Sequence, residues 1–412
     1  MKILRAYKYR LLPTNEQKHM LAQQGGNCRF LWNHFLEINQ KQYAQNGKFI
    51  FAHELITSLP KLKKEHEFLS ESFSQSLQQV GRHFDRALKD CFKNGKGFHA
   101  FKKKALMRDS FTIPQKYRIG KTFVFIPKVG EVKWIKHRPI KGKVKHLTIT
   151  QDGDLWFCSV TVELKVKMPV QKLDNIVGID VGLKTFATLS DGTTIENPKI
   201  LKKYQKKLVR EQRRLSRRVK GSKNKEEQRL VVAKLHRKVR NVRQDFQHKT
   251  THNMITKYDG FVLEDLNIKG MLKNHCLAKA ISDAAWHEWK RQLKYKSEWN
   301  NKLFLQIDRW EPSSKTCSDC GWYNLNLTLS DREFVCMNCG VVHDRDENAA
   351  INIRKIGIKT VPQVEREQGS RKATKTLGET RGSFFSMENS RCLSGNQEKE
   401  CLGLNKFQYE FY

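Results

Sequence analysis

The sequence predicts an α/β protein of several domains, and three observations carry that prediction. Helical spacing over residues 11–95 gives way, from about residue 110, to short β-rich runs. Two apolar runs, NIVGIDVG and FVLED, each deliver an acid and are separated by a strongly basic helical stretch, as in an open sheet crossed by helices. Two CxxC pairs lie between the second run and HDRDENAAINI, with the spacing of a metal-stapled ribbon.

At 412 residues and 38% hydrophobic content the chain has length for two or three domains and can bury a core. Lys and Arg outnumber Asp and Glu 78 to 42, a formal net charge of +36. Such an excess repels itself unless a polyanion lies against it, so nucleic acid is the expected partner. A solvated basic surface is the plainer alternative. No long apolar run appears, so no membrane association is expected. The first residues, MKILRAYKYRLLPTNEQ, lack the apolar core of a signal peptide, and a reducing cytosol is expected for the ten cysteines.

In chain order, Tyr7, Tyr9, Leu11 and Leu12 alternate loosely with Lys8 and Arg10 until Pro13-Thr14 interrupts, and residues 1–10 read as a strand. Helical spacing follows in EQKHMLAQQGGNCRFLWNHFLEINQKQY, and Leu77, Val80, Phe84, Leu88 and Cys91 keep a three-to-four period up to KNGKGFHAFKKK. Residues 11–95 therefore form a helical insert. FTIP, FVFIPKVGEVKWI, GKVKHLTIT and LWFCSVTVEL are short β-rich runs between Gly, Pro and QDGD turns. Residues 96–165, with strand 1–10, predict a small barrel, and VKMPVQKLDN a linker.

Residues 201–250 hold 19 Lys or Arg against four acids, with Leu201, Leu208, Leu215, Leu230, Leu235, Val239 and Val242 as an apolar stripe. This predicts a helical hairpin turning at KGSKN, one face packed and the other able to track phosphates through Arg213, Arg214, Arg217 and Arg218. Residues 174–310 and 341–356 make one α/β domain, interrupted by the ribbon at 311–340. Residues 357–412 lose apolar periodicity and read as a mostly disordered tail.

Cys317, Cys320, Cys336 and Cys339 supply four thiolates in two knuckles fifteen residues apart. Four sulfurs close a tetrahedron around one zinc ion and leave no open position, so the site is structural. Asp180 lies within an apolar strand, where a charge is costly unless it faces a cavity or cation. Gly178 and Gly182 flank it where another backbone or a phosphate could approach. Glu264 ends FVLE at a strand's C-terminal edge, where open sheets place their sites. Asp265 is the competing choice, pointing to the opposite face, and position favours Glu264. Asp346 starts a helix whose alanines allow close packing; its carboxylate either caps that helix or reaches a metal. For Asp344, pairing with Arg345 or solvent suffices. Three carboxylates in a basic protein fit two Mg²⁺ ions and phosphodiester hydrolysis.

YRLLPTNEQ, FLWNHFL, GIDVGLKTFATLSDG, LSRRVKGSKN, RQDFQHKTT, LEDLNIKGM, LAKAISDAAWHEW, PSSKTCSDCG and CGVVHDRDENAAINI together resemble the TnpB proteins of bacterial insertion sequences, relatives of the type V CRISPR effector nucleases. The resemblance covers nearly the whole chain outside the tail. It implies an RNA-guided DNA endonuclease with a RuvC-like, RNase H-type core, an inserted zinc ribbon and a wedge-like β-barrel carrying a helical recognition insert. It places the catalytic, magnesium-binding acids on Asp180, Glu264 and Asp346, which selects Glu264 over Asp265 and leaves Asp344 outside the metal site. It implies guide RNA and double-stranded target DNA as partners, in a bacterial cytoplasmic protein that joins the nucleoid when bound to DNA, expected as a monomer. Such proteins read a short target-adjacent motif, here assigned to Gln78 and Gln79, whose amides suit bidentate adenine contacts. His99 departs from the family pattern, where Pro is expected. Rival readings are a strand-joining transposase with the same acids, a nuclease-dead RNA-guided regulator, and a zinc-ribbon DNA binder, which leaves buried acids unexplained.

Overall fold

The computed structural model describes residues 1–94, 99–104, 108–166, 173–328 and 331–360. The start of the GFHAFKKK loop, most of the 166–175 linker and residues 361–412 lie outside them; of the tail expected over 357–412, residues 357–359 instead continue the last helix. Strand β1 (Lys2–Leu12) buries Ile3, Tyr7, Tyr9 and Leu11. It runs past residue 10 because Leu11 is sandwiched in register between Trp134 and Trp156 of its two neighbours. Pro13, without an N–H, ends the ladder. Thr14 then caps α1 (Asn15–Asn46) in a reciprocal box with Gln17, and Gly47, at φ +67°, closes it.

Helices α2 (Ala52–Thr57), α3 (Leu59–Glu65) and α4 (Ser74–Asn94) complete the helical unit. Their contact is a row of fully buried side chains, Leu31 and Phe35 of α1 against Leu77, Phe84 and Leu88 of α4. His99, where the family pattern has Pro, bonds the Ala87 carbonyl at 3.2 Å and sets its ring edge-on to Trp32. The loop is thereby tied to α4.

Strands β2 (Ser110–Ile113), β3 (Arg118–Ile119), β4 (Phe123–Ile126), β5 (Gly130–Ile135), β6 (Lys143–Asp152) and β7 (Leu155–Lys165) join β1 in a seven-stranded antiparallel sheet. Its order is β2-β6-β7-β1-β5-β4-β3. Among the described residues no hydrogen bonds pair β2 with β3, so the ladder is open where short, evenly spaced runs predict a barrel.

The second sheet has order β10-β9-β8-β11-β12, from β8 (Ile176–Val181), β9 (Thr185–Leu189), β10 (Thr194–Glu196), β11 (Gly260–Glu264) and β12 (Leu303–Ile307). Strands β8, β11 and β12 are parallel, and β9 returns antiparallel. Helices α5 (Ile200–Arg217) and α6 (Lys223–Lys257) link β10 to β11; α7 (Ile268–Met271), α8 (His275–Ala284) and α9 (Trp286–Trp299) link β11 to β12. Helix α6 runs seven residues beyond the expected end of the hairpin. In the stripe between α5 and α6 Val232 takes the buried place, packing on Leu208 and Leu235, while Val242 is exposed. Arg240 and Arg237 of α6 pair with Asp152 and Asp154 in the QDGD turn.

Side chains alternate across this sheet. Val177, Ile179, Phe261 and Leu263 pack with Ile255, Trp289 and Leu293 of α6 and α9. Ile176 and Val262 face the other way, onto Ile353 of the last helix, α10 (Arg345–Lys359). Gly178 is needed there: a Cβ would sit 2.1 Å from the Ala350 carbonyl of α10. Its space is filled by backbone. Gly357 likewise lies against Val262, where a Cβ would come within 2.3 Å of a methyl.

Candidate functional site

The same alternation sends Asp180 and Glu264 to one place. Asp180 follows Ile176 and Gly178 at two-residue intervals, Glu264 follows Val262, and both therefore face α10 at the C-terminal edge of adjacent parallel strands. The pair Leu263–Ile179 stands one residue before them in the register. Asp346 comes from the first turn of α10. Burial, and then the charges of Glu264 and Asp346, push the Asp180 carboxyl up to about 8 against a smaller opposing pull from Arg345. Burial also raises Glu264, against a hydrogen bond donated by Ser313 Oγ to its Oε1. A cavity of about 20 Å³ lies beneath the edge, lined by both acids with Leu263, Trp286, Trp289 and Lys290.

Asp344, not Asp346, caps α10. Its Oδ1 accepts the backbone N–H groups of Asp346 and Glu347, each at 2.9 Å. The helix begins at Arg345, two residues before the start an Asp346 cap would give, which makes Asp344 the cap and leaves the Asp346 side chain with loose contacts to Arg345 at 3.4 Å and Arg332 at 3.6 Å. Pairing with Arg345 or solvent is thus not the role of Asp344. Asp265 is held elsewhere, by Lys290 at 3.1 Å and Arg309 at 2.8 Å.

The ribbon's sulfurs all lie within 4.8 Å of one another. Cys317 and Cys339 are 3.8 Å apart and Cys320 and Cys336 3.5 Å, close to the edge of about 3.8 Å that a tetrahedron with 2.3 Å zinc–sulfur bonds requires. The two knuckles have matching construction. Gly321 and Gly340, at φ +78° and +73°, turn each loop so that their N–H groups return to the Cys317 and Cys336 carbonyls. Bonds from Asn338 and the Trp322 backbone lower Cys320 to about 6; Cys339 accepts from the Val341 backbone, yet burial and the neighbouring sulfurs push it up to about 12. The set can hold a metal ion. Strands β13 (Glu333–Val335) and β14 (Val342–Asp344) pair behind the second knuckle and lead into α10.

Arg213, Arg214, Arg217 and Arg218 are all exposed. Arg213, Arg214 and Arg217 line a groove of about 300 Å³ with Lys206, Val209 and Arg210; Arg218 lies past the helix end. Arg214 is tied to buried Glu211 at 3.2 Å, and Gln228 of α6 bonds the same carboxylate. Gln78 and Gln79 are half-buried on α4, away from these carboxylates in sequence and element.

Sequence reasoning missed Ser313, Asn348 and Asn352. The two asparagines, four apart on α10, are 1% and 6% exposed and bond backbone of residues 313–318. The signal was present in NAAIN: polar amides at helical spacing on a face otherwise made of small apolar residues.

Three family models match in sequence: one described as a helix-turn-helix domain over residues 1–48, OrfB_IS605, "Probable transposase", over 159–275, and a Cas12f1-like TNB domain over 286–353. A "Putative RNA-guided DNA endonuclease" of Streptomyces pristinaespiralis is 35% identical over 363 residues, 86% of this chain and 90% of the relative. The "Putative RNA-guided DNA endonuclease InsQ" of Escherichia coli (strain K12) is 33% identical over 390 residues, 90% of this chain and 96% of the relative. In fold the chain is similar to the protein of a Cas12f1-sgRNA-target DNA complex, with TM-score 0.54 at 12% identity over 86% of this chain and 99% of that one. Among the described residues no helix is long and apolar enough to cross a membrane. With identity at this level sustained over nearly the full length of two relatives, the chain belongs to the TnpB/OrfB_IS605 family.

Proposed function

We propose that this chain is an RNA-guided DNA endonuclease of a bacterial insertion sequence, hydrolysing target DNA at the carboxylate edge of its five-stranded sheet. The observation that carries the reading is the placement of Asp180 and Glu264 on one face at the edge of adjacent parallel strands, with Asp346 in the first turn of the helix packed on that face. Three half-buried carboxyl groups at one sheet edge favour a bound cation, and an all-oxygen donor set suits magnesium. Asp180, Glu264 and Asp346 would hold two such ions, all three offering the hard oxygen donors that magnesium takes. When bound, magnesium supplies Lewis-acid activation of the attacking water and neutralises the leaving 3′ oxygen. The chain's own part is to fix the three acids on two strands and a helix, and to exclude water beneath them with Trp286 and Trp289.

The order β10-β9-β8-β11-β12 supports a RuvC-like, RNase H-type core from residues 174–310 and 341–356. The sulfur geometry supports one structural zinc in the ribbon at 311–340. The seven-stranded sheet supports a wedge from 1–10 and 96–165, with 11–95 as recognition insert and Gln78 and Gln79 as readers of the target-adjacent motif. Arg213, Arg217 and Arg218 track phosphates of the guide–target duplex, with Arg214 partly spent on Glu211. Such a protein works in the bacterial cytoplasm, at the nucleoid, as a monomer. A strand-joining transposase is the second reading, favoured by the description of the family model over 159–275. Sequencing the RNA that co-purifies, then reprogramming it, decides between them. A discrete RNA whose altered guide redirects cutting is the expected result; strand joining by RNA-free protein would favour the transposase.

A further inference from the structure

The segment PSSKTCS, residues 312–318, spans from the carboxylate edge to the first zinc knuckle. It lies outside any helix or strand, and its backbone is held by turn bonds and a bridge between Thr316 and Tyr323, while the carbonyls of Ser313 and Thr316 and the N–H of Ser318 are met by side chains of α10. Ser313, 4% exposed, donates its hydroxyl to Glu264 Oε1 and its backbone N–H to the Glu311 carbonyl. Its carbonyl accepts from Asn352 Nδ2 at 2.8 Å, and the same amide bonds the Thr316 carbonyl at 2.6 Å. Asn348 Nδ2 also bonds the Thr316 carbonyl, at 2.8 Å, while its Oδ1 accepts the Ser318 N–H at 2.7 Å. Burying two primary amides is costly unless their polar atoms are bonded. Here the partners are the backbone of a single strap.

We propose that Ser313 is a positioning residue for Glu264, and that Asn348 and Asn352 lock the 313–318 strap so that α10 sets two acids at once, Asp346 directly and Glu264 through Ser313. An ionised carboxylate has two oxygens; a hydroxyl fixed on Oε1 sets the rotamer and leaves Oε2 for a cation. Without the hydroxyl, Glu264 loses the bond that fixes its carboxylate. The strap also explains why ribbon and nuclease edge are built as one piece: Thr316 and Ser318 flank the ligand Cys317.

The proposal rests on reading Glu264 as a metal ligand, and the test separates the two. RNA-loaded protein is titrated with Mn²⁺ and free ion is followed by electron paramagnetic resonance, with zinc content and target binding measured on the same samples. Ser313→Ala should weaken Mn²⁺ binding by about 10- to 100-fold, the usual effect of losing a group that orients a ligand, with zinc content and target binding unchanged. Ser313→Thr and Ser313→Val have the same shape, so if either methyl is poorly tolerated the difference between them still reports the hydroxyl; Thr should bind Mn²⁺ more tightly than Val. Asn352→Ala should weaken Mn²⁺ in the same direction as Ser313→Ala. Wild-type Mn²⁺ affinity in Ser313→Ala, with Glu264→Ala abolishing it, would overturn the positioning role and keep the ligand. Unchanged binding in Glu264→Ala would overturn both.

Discussion

Replacing Gly178 with alanine should damage cleavage without touching a candidate metal ligand. The new Cβ would lie 2.1 Å from the Ala350 carbonyl and 2.6 Å from the Arg354 backbone nitrogen, both on α10. Neither atom belongs to a flexible side-chain end, so the helix itself must withdraw from β8 by about 1 Å to restore ordinary contact distances. Overpacking of this kind costs about 1–3 kcal/mol of stability. The helix carries Asp346 in its first turn and anchors Asn348 and Asn352, so the displacement reaches the carboxylate cluster. A misplacement of that size costs on the order of a hundredfold in rate. The assay is single-turnover cleavage of target DNA by RNA-loaded protein, with target binding and thermal unfolding measured in parallel. Reduced cleavage with binding retained and a lowered unfolding temperature is the expected pattern. Wild-type stability and rate would refute the claim that α10 is pressed on bare backbone at this point.

Asp344→Ala should lose the α10 cap, about 1 kcal/mol of stability, and keep part of its cleavage; an unchanged melting temperature would show that the cap contributes nothing. Exchanging Arg213 and Arg217 for Gln should weaken binding equally for all guide sequences and reduce the salt slope by about 2, whereas an unaltered slope would mark a merely solvated face. Cys317→Ser should release zinc, measured by metal analysis, and loosen the strap that Ser313 anchors; full zinc occupancy would argue against four-sulfur ligation.

Local pattern carried some of this architecture and long-range pairing the rest. The period of Leu77, Val80, Phe84 and Leu88 marks α4 because each contacts the same core, and the apolar run before Glu264 marks β11 because both its faces are covered. The expected stripe of α6 differs from the packed one because a 35-residue helix does not keep one face toward an 18-residue partner: Val232 packs with Leu208 and Leu235, and Val242 is exposed. The cap on α10 depends on one helical residue, Arg345, that composition does not reveal. Neither the β8–β11 register nor the hold of Asn352 on Ser313 has a local signature, since each joins residues tens of positions apart. The acids could be picked out as costly; which of their neighbours fix them could not.

Cleavage of target DNA by RNA-loaded protein in Mg²⁺, with target binding measured separately on the same preparations, tests the carboxylate site most directly. Asp180→Ala, Glu264→Ala and Asp346→Ala should each abolish cutting and leave guided binding intact, because base pairing and phosphate contacts lie elsewhere. Asp265→Ala, whose carboxylate serves Lys290 and Arg309, should cut. If Asp346→Ala cuts normally while Asp344→Ala binds target and cannot cut, the roles assigned to the two aspartates are reversed and the three-acid site is wrong.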